Sequence, residues 1–202
     1  MAQAVQRREE SDKYGRIITA ATRIFAEKGF FKTTVSDIAS AAEVAEGTIY
    51  LYFKNKDDVL ISIFENSMDM FLREAEQDLA KINNAAERLR RFIHLHLRLV
   101  EEHKDLARVL HVELRQSAMF MREYRGGKFR DYLQFVQTLI EEGQSQDIFR
   151  SDLDPRLLRR SIFGALDETA LRWVVSEKKP YDLDECADQL ADLFLNGLIK
   201  KS

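Results

Sequence analysis

A chain of 202 residues, 45% hydrophobic and 32% charged, has room for one large core or for a small head on a larger body. Its two prolines and eight glycines are too few for a turn-rich β protein and suit long helices. The net charge of -3 excludes a general polyanion binder, although residues 1–56 hold nine Lys/Arg against seven Asp/Glu, so the small positive excess lies at the N-terminal end.

Apolar spacing predicts an all-α protein of about nine helices. A polar stretch over 1–13 is expected to be a flexible arm. Ile17, Ala21, Ile24 and Phe25 then share one face of a helix that stops at Gly29. Thr34 offers an N-cap with Asp37 three residues on, a shorter relative of the capping box. Val35, Ile38, Ala39 and Ala42 form a short second helix, and a third runs from about Glu46 to Phe53. The fourth opens at Asn55 or Lys56, with Asp57 and Asp58 complementing its dipole. A fifth spans about Ala85 to Glu102 and a sixth about Leu106 to Arg115. A seventh is expected to start before the Gly126-Gly127 pair in the stretch Phe120 to Gly127, with an irregularity at the pair, and continues through Phe129, Tyr132, Leu133 and Val136 to Gly143. Pro155 at a first helical position opens the eighth, to about Ser176, and the ninth covers about Asp184 to Lys200. The domain division expected is 1–13, a head at 14–55 and a body at 56–202.

Several chemistries are not supported. Cys186 is the only cysteine, so no intrachain disulfide forms, and its apolar helical setting reads as core. No run of about 18 apolar residues and no secretory leader is present, which predicts a soluble cytoplasmic protein with no membrane partner. His94, His96, His103 and His111 lack the i, i+4 spacing of a helical metal site, so no metal is expected. Asp167 and Glu168 are adjacent and point apart on a helix. No nucleophile elbow or phosphate loop appears, so the chain is not expected to be an enzyme or to need a cofactor.

Residues 34–53 meet the demands of a helix-turn-helix: short helices, a tight turn and small residues at the contact. Ala39 and Ala42 are small, Ile38 and Val44 lock the corner, and Ile49 anchors the third helix inward. Glu46, Gly47, Thr48, Tyr50, Leu51 and Tyr52 are left to face DNA. Taken singly, Tyr50, Tyr52 and Phe53 would read as core, and Lys54 and Lys56 as solvated surface.

The ordered run Thr33-Thr34-Val35-Ser36-Asp37-Ile38-Ala39, then Val44 through Leu60 with Gly47-Thr48-Ile49-Tyr50-Leu51-Tyr52-Phe53-Lys54-Asn55-Lys56, resembles the DNA-binding domain of the TetR family of bacterial regulators. Ala26-Glu27-Lys28-Gly29-Phe30 resembles the end of that family's first helix. The resemblance covers about residues 14–64. It implies DNA contacts from Thr48, Tyr50 and Tyr52, and phosphate contacts from Lys56 and from Thr34 with Ser36 at the start of the second helix. Two departures stand out: Glu43 occupies a turn position usually held by glycine, and Ala45 replaces a capping serine. Glu46 brings negative charge close to DNA, where a cytosine amino group is its natural partner.

The same resemblance makes the body a ligand sensor and dimerisation domain, with the helices at about 155–176 and 184–200 pairing across a twofold axis. A twofold dimer predicts a palindromic operator. Arg159 to Thr169, followed by Trp173-Val174, is similar to the branch of the family that represses fatty-acid degradation and responds to long-chain acyl-CoA. An acyl tail requires an apolar lining, for which Phe92, Leu97, Leu110, Leu114, Phe135, Leu139, Phe163, Leu166 and Trp173 are candidates. Gly164 either leaves room for the tail or permits close helix packing. CoA phosphates require cations, for which Arg98, Arg108, Arg115 and Arg122 are candidates. The alternatives are a regulator of the same family sensing a drug-like or aromatic effector, and a helical acyl-CoA carrier or enzyme that binds no DNA.

Overall fold

The computed structural model describes residues 2–117 and 127–200, with side chains from Asp12 onward. Among these residues lie α1 (Ala2–Lys28), α2 (Val35–Ala41), α3 (Glu46–Tyr52), α4 (Lys56–Leu79), α5 (Ala85–Glu102), α6 (Lys104–Arg108), α7 (Gly127–Ser145), α8 (Pro155–Val175) and α9 (Leu183–Leu198). The only β pairing among them is an isolated antiparallel bridge between Phe149 and Ile199. The predicted all-helical architecture is thus observed. No described helix is long and apolar enough to cross a membrane.

Two features differ from the sequence expectation. The stretch expected as a flexible arm is continuous with α1, which starts at Ala2. Residues 2–14 carry no glycine or proline and are rich in Ala, Gln, Arg and Glu, so nothing in them interrupts a helix. The sixth helix also does not run evenly. After α6 the backbone passes through a π-helical turn, Val109–Glu113, and a 3₁₀ turn, Leu114–Gln116. The expected helix start before the Gly126-Gly127 pair falls in 118–126 and lies outside the described residues.

The chain forms two compact units. The first comprises Met1–Asn66 and Arg108–Tyr124, and the second Ser67–Ala107 and Arg125–Ser202. The expected boundary at residue 56 therefore does not coincide with the packing. The first turns of α4 belong with the head because Val59, Leu60 and Ile63 are buried in its core beside Ile17, Phe25, Ile38, Ile49 and Phe53.

In the second unit α5 is central. It packs against α9, α7 and α8, and α7 packs on α8. Its inner face is Leu89, Phe92, Ile93, His96 and Val100, at the spacing of one buried stripe. Its outer charges pair with the acidic face of α9: Arg90 with Asp192 and Asp188, and His94 with Asp184 at 3.0 Å and Asp188 at 3.1 Å. At the end of α7, Asp147 takes a left-handed φ of 57°, and Phe149 folds back over Gly143. A Cβ at Gly143 would stand 2.0 Å from the Phe149 ring, so only glycine fits there.

Candidate nucleic-acid interface and sensor interior

The head is built from the end of α1 upward. Gly29, at φ 82°, turns the chain out of α1, and Thr33 closes the turn by donating N–H and hydroxyl to the Gly29 carbonyl. α2 then begins with a complete capping box. The Thr34 Oγ accepts from Asp37 N–H at 3.1 Å, and the Asp37 carboxylate accepts from Thr34 N–H at 2.9 Å. Lys28 reaches the same carboxylate at 2.8 Å. That ammonium, with the Thr34 N–H, holds the Asp37 carboxyl far below the usual carboxylate range. The cap therefore stays ionised well below the pH at which an isolated aspartate would protonate.

The turn after α2 is a Schellman motif with glutamate in the glycine position. Glu43 N–H donates to Ser40 O at 3.2 Å and Val44 N–H to Ala39 O at 3.0 Å, while Glu43 itself has φ 56°. The departure noted in the sequence thus falls on a left-handed residue. α3 begins at Ala45, whose backbone has the extended conformation of a cap but whose side chain makes no capping bond.

α3 anchors itself through Ile49, which is 1% exposed, and presents its other sides outward. Glu46, Gly47, Tyr50 and Leu51 are exposed, and Thr48 and Tyr52 are half-buried. Leu51 is 81% exposed, a cost in water that contact with a thymine methyl would offset. Tyr52 rests edge-on against Tyr14 of α1, whose ring stacks on Phe53 at 5.3 Å. Ser36 is exposed on the first turn of α2.

Two expected phosphate contacts look different in the structure. Lys56 donates to the carbonyls of Phe30 at 2.7 Å and Thr33 at 2.8 Å, approaches that of Phe31 at 3.5 Å, and lies 4.5 Å from the Phe30 ring centre. An ammonium has three donors, so Lys56 here fastens the α1–α2 turn rather than standing free for a phosphate. The Thr34 hydroxyl likewise donates to Asp37 at 2.7 Å. The neighbouring N–H groups of Val35 and Ser36, in the first turn of α2, are the donors left to an anion.

Across the same turn lies a carboxylate that sequence reasoning missed. Glu113, 3% exposed at the end of the π-helical turn, accepts the Phe30 N–H at 2.7 Å. Ser117 donates to Asp57 at 2.7 Å. Phe30 is therefore held from both sides, its N–H by Glu113 and its carbonyl by Lys56. A π turn widens the helix by one residue and re-aims the side chains after it, a departure that apolar periodicity does not reveal.

The expected ligand-lining residues divide between the two units. Phe92, Leu97, Leu139, Leu166 and Trp173 are buried in the second unit, with Phe135 and Phe163 partly buried against the same core. Leu110, Leu114, Arg108 and Arg115 belong to the first unit, and both arginines are exposed. Arg98 is paired with Glu74 at 3.0 Å on the surface. Arg122 lies outside the described residues. Gly164 is exposed, and a Cβ there would meet nothing within 4 Å. It is two residues from Ile162, on the opposite side of α8, so among the described residues it neither lines the interior nor permits a close approach.

What the second unit brings together is an aromatic cluster. The Tyr132 ring lies within 6 Å of those of Phe71, Phe92, His96 and Phe163. Phe129 meets Phe163 edge-on at 4.9 Å. The Tyr132 hydroxyl and His96 Nδ1 are 3.0 Å apart. Burial, reinforced by the Asp167 carboxylate, pushes the Tyr132 phenol far above its ordinary range, so it stays neutral. Phe71, Phe129, Tyr132 and His96 were legible as helical stripe residues, but nothing in their spacing announced that the stripes of four helices converge.

Residues 17–63 match the profile of bacterial regulatory proteins of the tetR family, and residues 64–197 that of the YsiA-like C-terminal region. The chain belongs to the TetR family of bacterial regulators. A fatty acid metabolism regulator protein of Bacillus subtilis is 38% identical over 194 residues, covering 96% of this chain and all of the relative. The solved structure of the fatty acid degradation regulator FadR from Bacillus halodurans superposes with a TM-score of 0.85 at 38% identity, covering 92% of this chain and 95% of that one. FadR from Bacillus subtilis, solved in complex with stearoyl-CoA, gives a TM-score of 0.84 at 40% identity, covering 91% and 98%. Membership gives the α2–α3 pair its role as the DNA-binding element of a transcriptional regulator.

Proposed function

We propose that the chain is a cytoplasmic, homodimeric repressor of fatty-acid degradation genes, released from a palindromic operator by long-chain acyl-CoA. The observation that carries this reading is the likeness to fatty-acid regulators through the sensor half as well as the head, including one that holds stearoyl-CoA. The chemistry agrees. The six rings of Phe71, Phe92, His96, Phe129, Tyr132 and Phe163, in one buried core with aliphatic Leu97, Leu139 and Leu166, suit an acyl chain, and no step of catalysis is needed. Thr48, Tyr50, Leu51 and Tyr52 on α3, with Glu46, Gly47 and the first turn of α2 at Ser36, form the DNA-facing set. The effector must prefer the DNA-incompetent form, because equal affinity for both forms shifts nothing.

A fluorescence-anisotropy titration of the dimer on a palindromic operator fragment tests this. Palmitoyl-CoA at micromolar concentration is expected to weaken binding at least tenfold, while CoA alone leaves it unchanged. Unaltered DNA affinity in saturating palmitoyl-CoA would overturn the effector, and release by aromatic compounds instead would identify a different one.

A further inference from the structure

α8 carries a cation on the wrong face for a surface residue. Arg159, Phe163, Leu166 and Ala170 follow one another at i, i+4, i+7 and i+11, so they share a single helical stripe. Leu166 and Ala170 are both fully buried, and Phe163 packs its ring on Phe129 and Tyr132. Arg159 is half-buried at the head of this stripe, and its Nε is sealed from solvent with no hydrogen-bond acceptor. No ion pair or hydrogen bond joins its guanidinium to any described residue. Asp167, on the same side of α8, is eight residues away, or about 12 Å along the axis, too far to pair with it.

Its neighbours behave otherwise. Arg156, one turn earlier, is exposed and bonds to Asp154. Arg88, the other described arginine whose buried Nε lacks a partner, gives a terminal nitrogen to Glu142. A guanidinium Nε sealed from solvent without an acceptor is costly. An anion arriving beside the aromatic cluster would supply the missing acceptor.

We infer that Arg159 is the anion-binding residue of the effector site, pairing with the charged end of a fatty acyl ligand whose chain lies on the Phe163–Phe129–Tyr132 side. The inference rests on the acyl-effector reading above, and it replaces the surface arginines as the source of the cation. The anionic oxygens have two sources, a CoA phosphate or the carboxylate of a free fatty acid.

Isothermal titration of the full-length protein with stearoyl-CoA and with stearate, for wild type, R159Q, R159K and the surface control R156Q, tests it. R159Q is expected to weaken binding of its ligand about tenfold or more and to flatten the salt dependence, with R159K intermediate and R156Q unchanged. Weakening of stearoyl-CoA alone assigns the phosphate, and weakening of stearate assigns the carboxylate. Because Arg159 holds nothing among the described residues, the melting temperature of R159Q should be unchanged or raised. A drop of several degrees accompanying lost binding would make the residue structural and overturn the inference. Wild type and R159Q binding equally well would overturn it alone, whereas wild type binding neither ligand would remove the effector reading and the subsite together.

Discussion

Single residues in the head show which sequence signals carry physical weight. Glu43 was visible as a departure from the family's glycine, and the structure gives it the left-handed φ of 56° that explains the preference. A side chain in that region costs about 1 kcal/mol, partly offset because glycine loses more entropy on folding. Glu43→Gly is therefore expected to stabilise the protein by up to about 1 kcal/mol. This would appear as a higher urea midpoint at an unchanged m-value, with operator affinity unaffected, since the turn geometry is already in place. A lower midpoint would mean that the Glu43 carboxylate supports the turn in some other way. Lys56 teaches the opposite lesson. Its position in the motif was legible, but its task depended on three carbonyls from a turn more than twenty residues earlier. No local pattern encodes that contact.

At the scale of elements, helices and their caps were legible because each is written in consecutive residues. The Thr34–Asp37 box, the Asp154-Pro155 start and the glycine stop at 29 all sit where local chemistry placed them. The π turn at Val109–Glu113 was not, since an added backbone residue alters spacing without altering composition. Its consequence is the buried bond from Phe30 N–H to Glu113. Glu113→Ala leaves that N–H buried without an acceptor, at a cost of about 1–3 kcal/mol. Glu113→Gln keeps a carbonyl oxygen in place and should lose less than half as much. Because the bonded turn sets the entry to α2, operator binding should fall in the same order, wild type above Gln above Ala. Thermal denaturation and anisotropy on the same samples would check this; equal stability of all three would show that the bond contributes nothing net.

The whole molecule imposes a demand that no single chain satisfies. α8 and α9 bury one face each in the second unit, yet Leu157 at 65%, Val175 at 46% and Leu193 at 68% exposure leave large apolar side chains on the other. Gly164 is exposed on α8, and Gly197 on α9, without a Cβ between backbone and solvent. Such faces belong to an interface more often than to a solvated surface, and pairing α8 and α9 with their twofold mates would bury them. Dimerisation sets function directly, because a palindrome one helical turn apart (about 34 Å) is read by two recognition helices and each alone binds weakly. Charge placed at the centre of that face is the sharpest test. Leu193→Glu in both copies puts two like charges where apolar surface should be buried, and the site belongs to the second unit rather than the head. Analytical ultracentrifugation should then report a folded monomer. Operator affinity should fall by at least two orders of magnitude, while affinity for a half-site stays as in wild type. A dimer that survives the substitution would move the twofold axis away from α9, and with it the expected spacing of the two α3 helices on DNA.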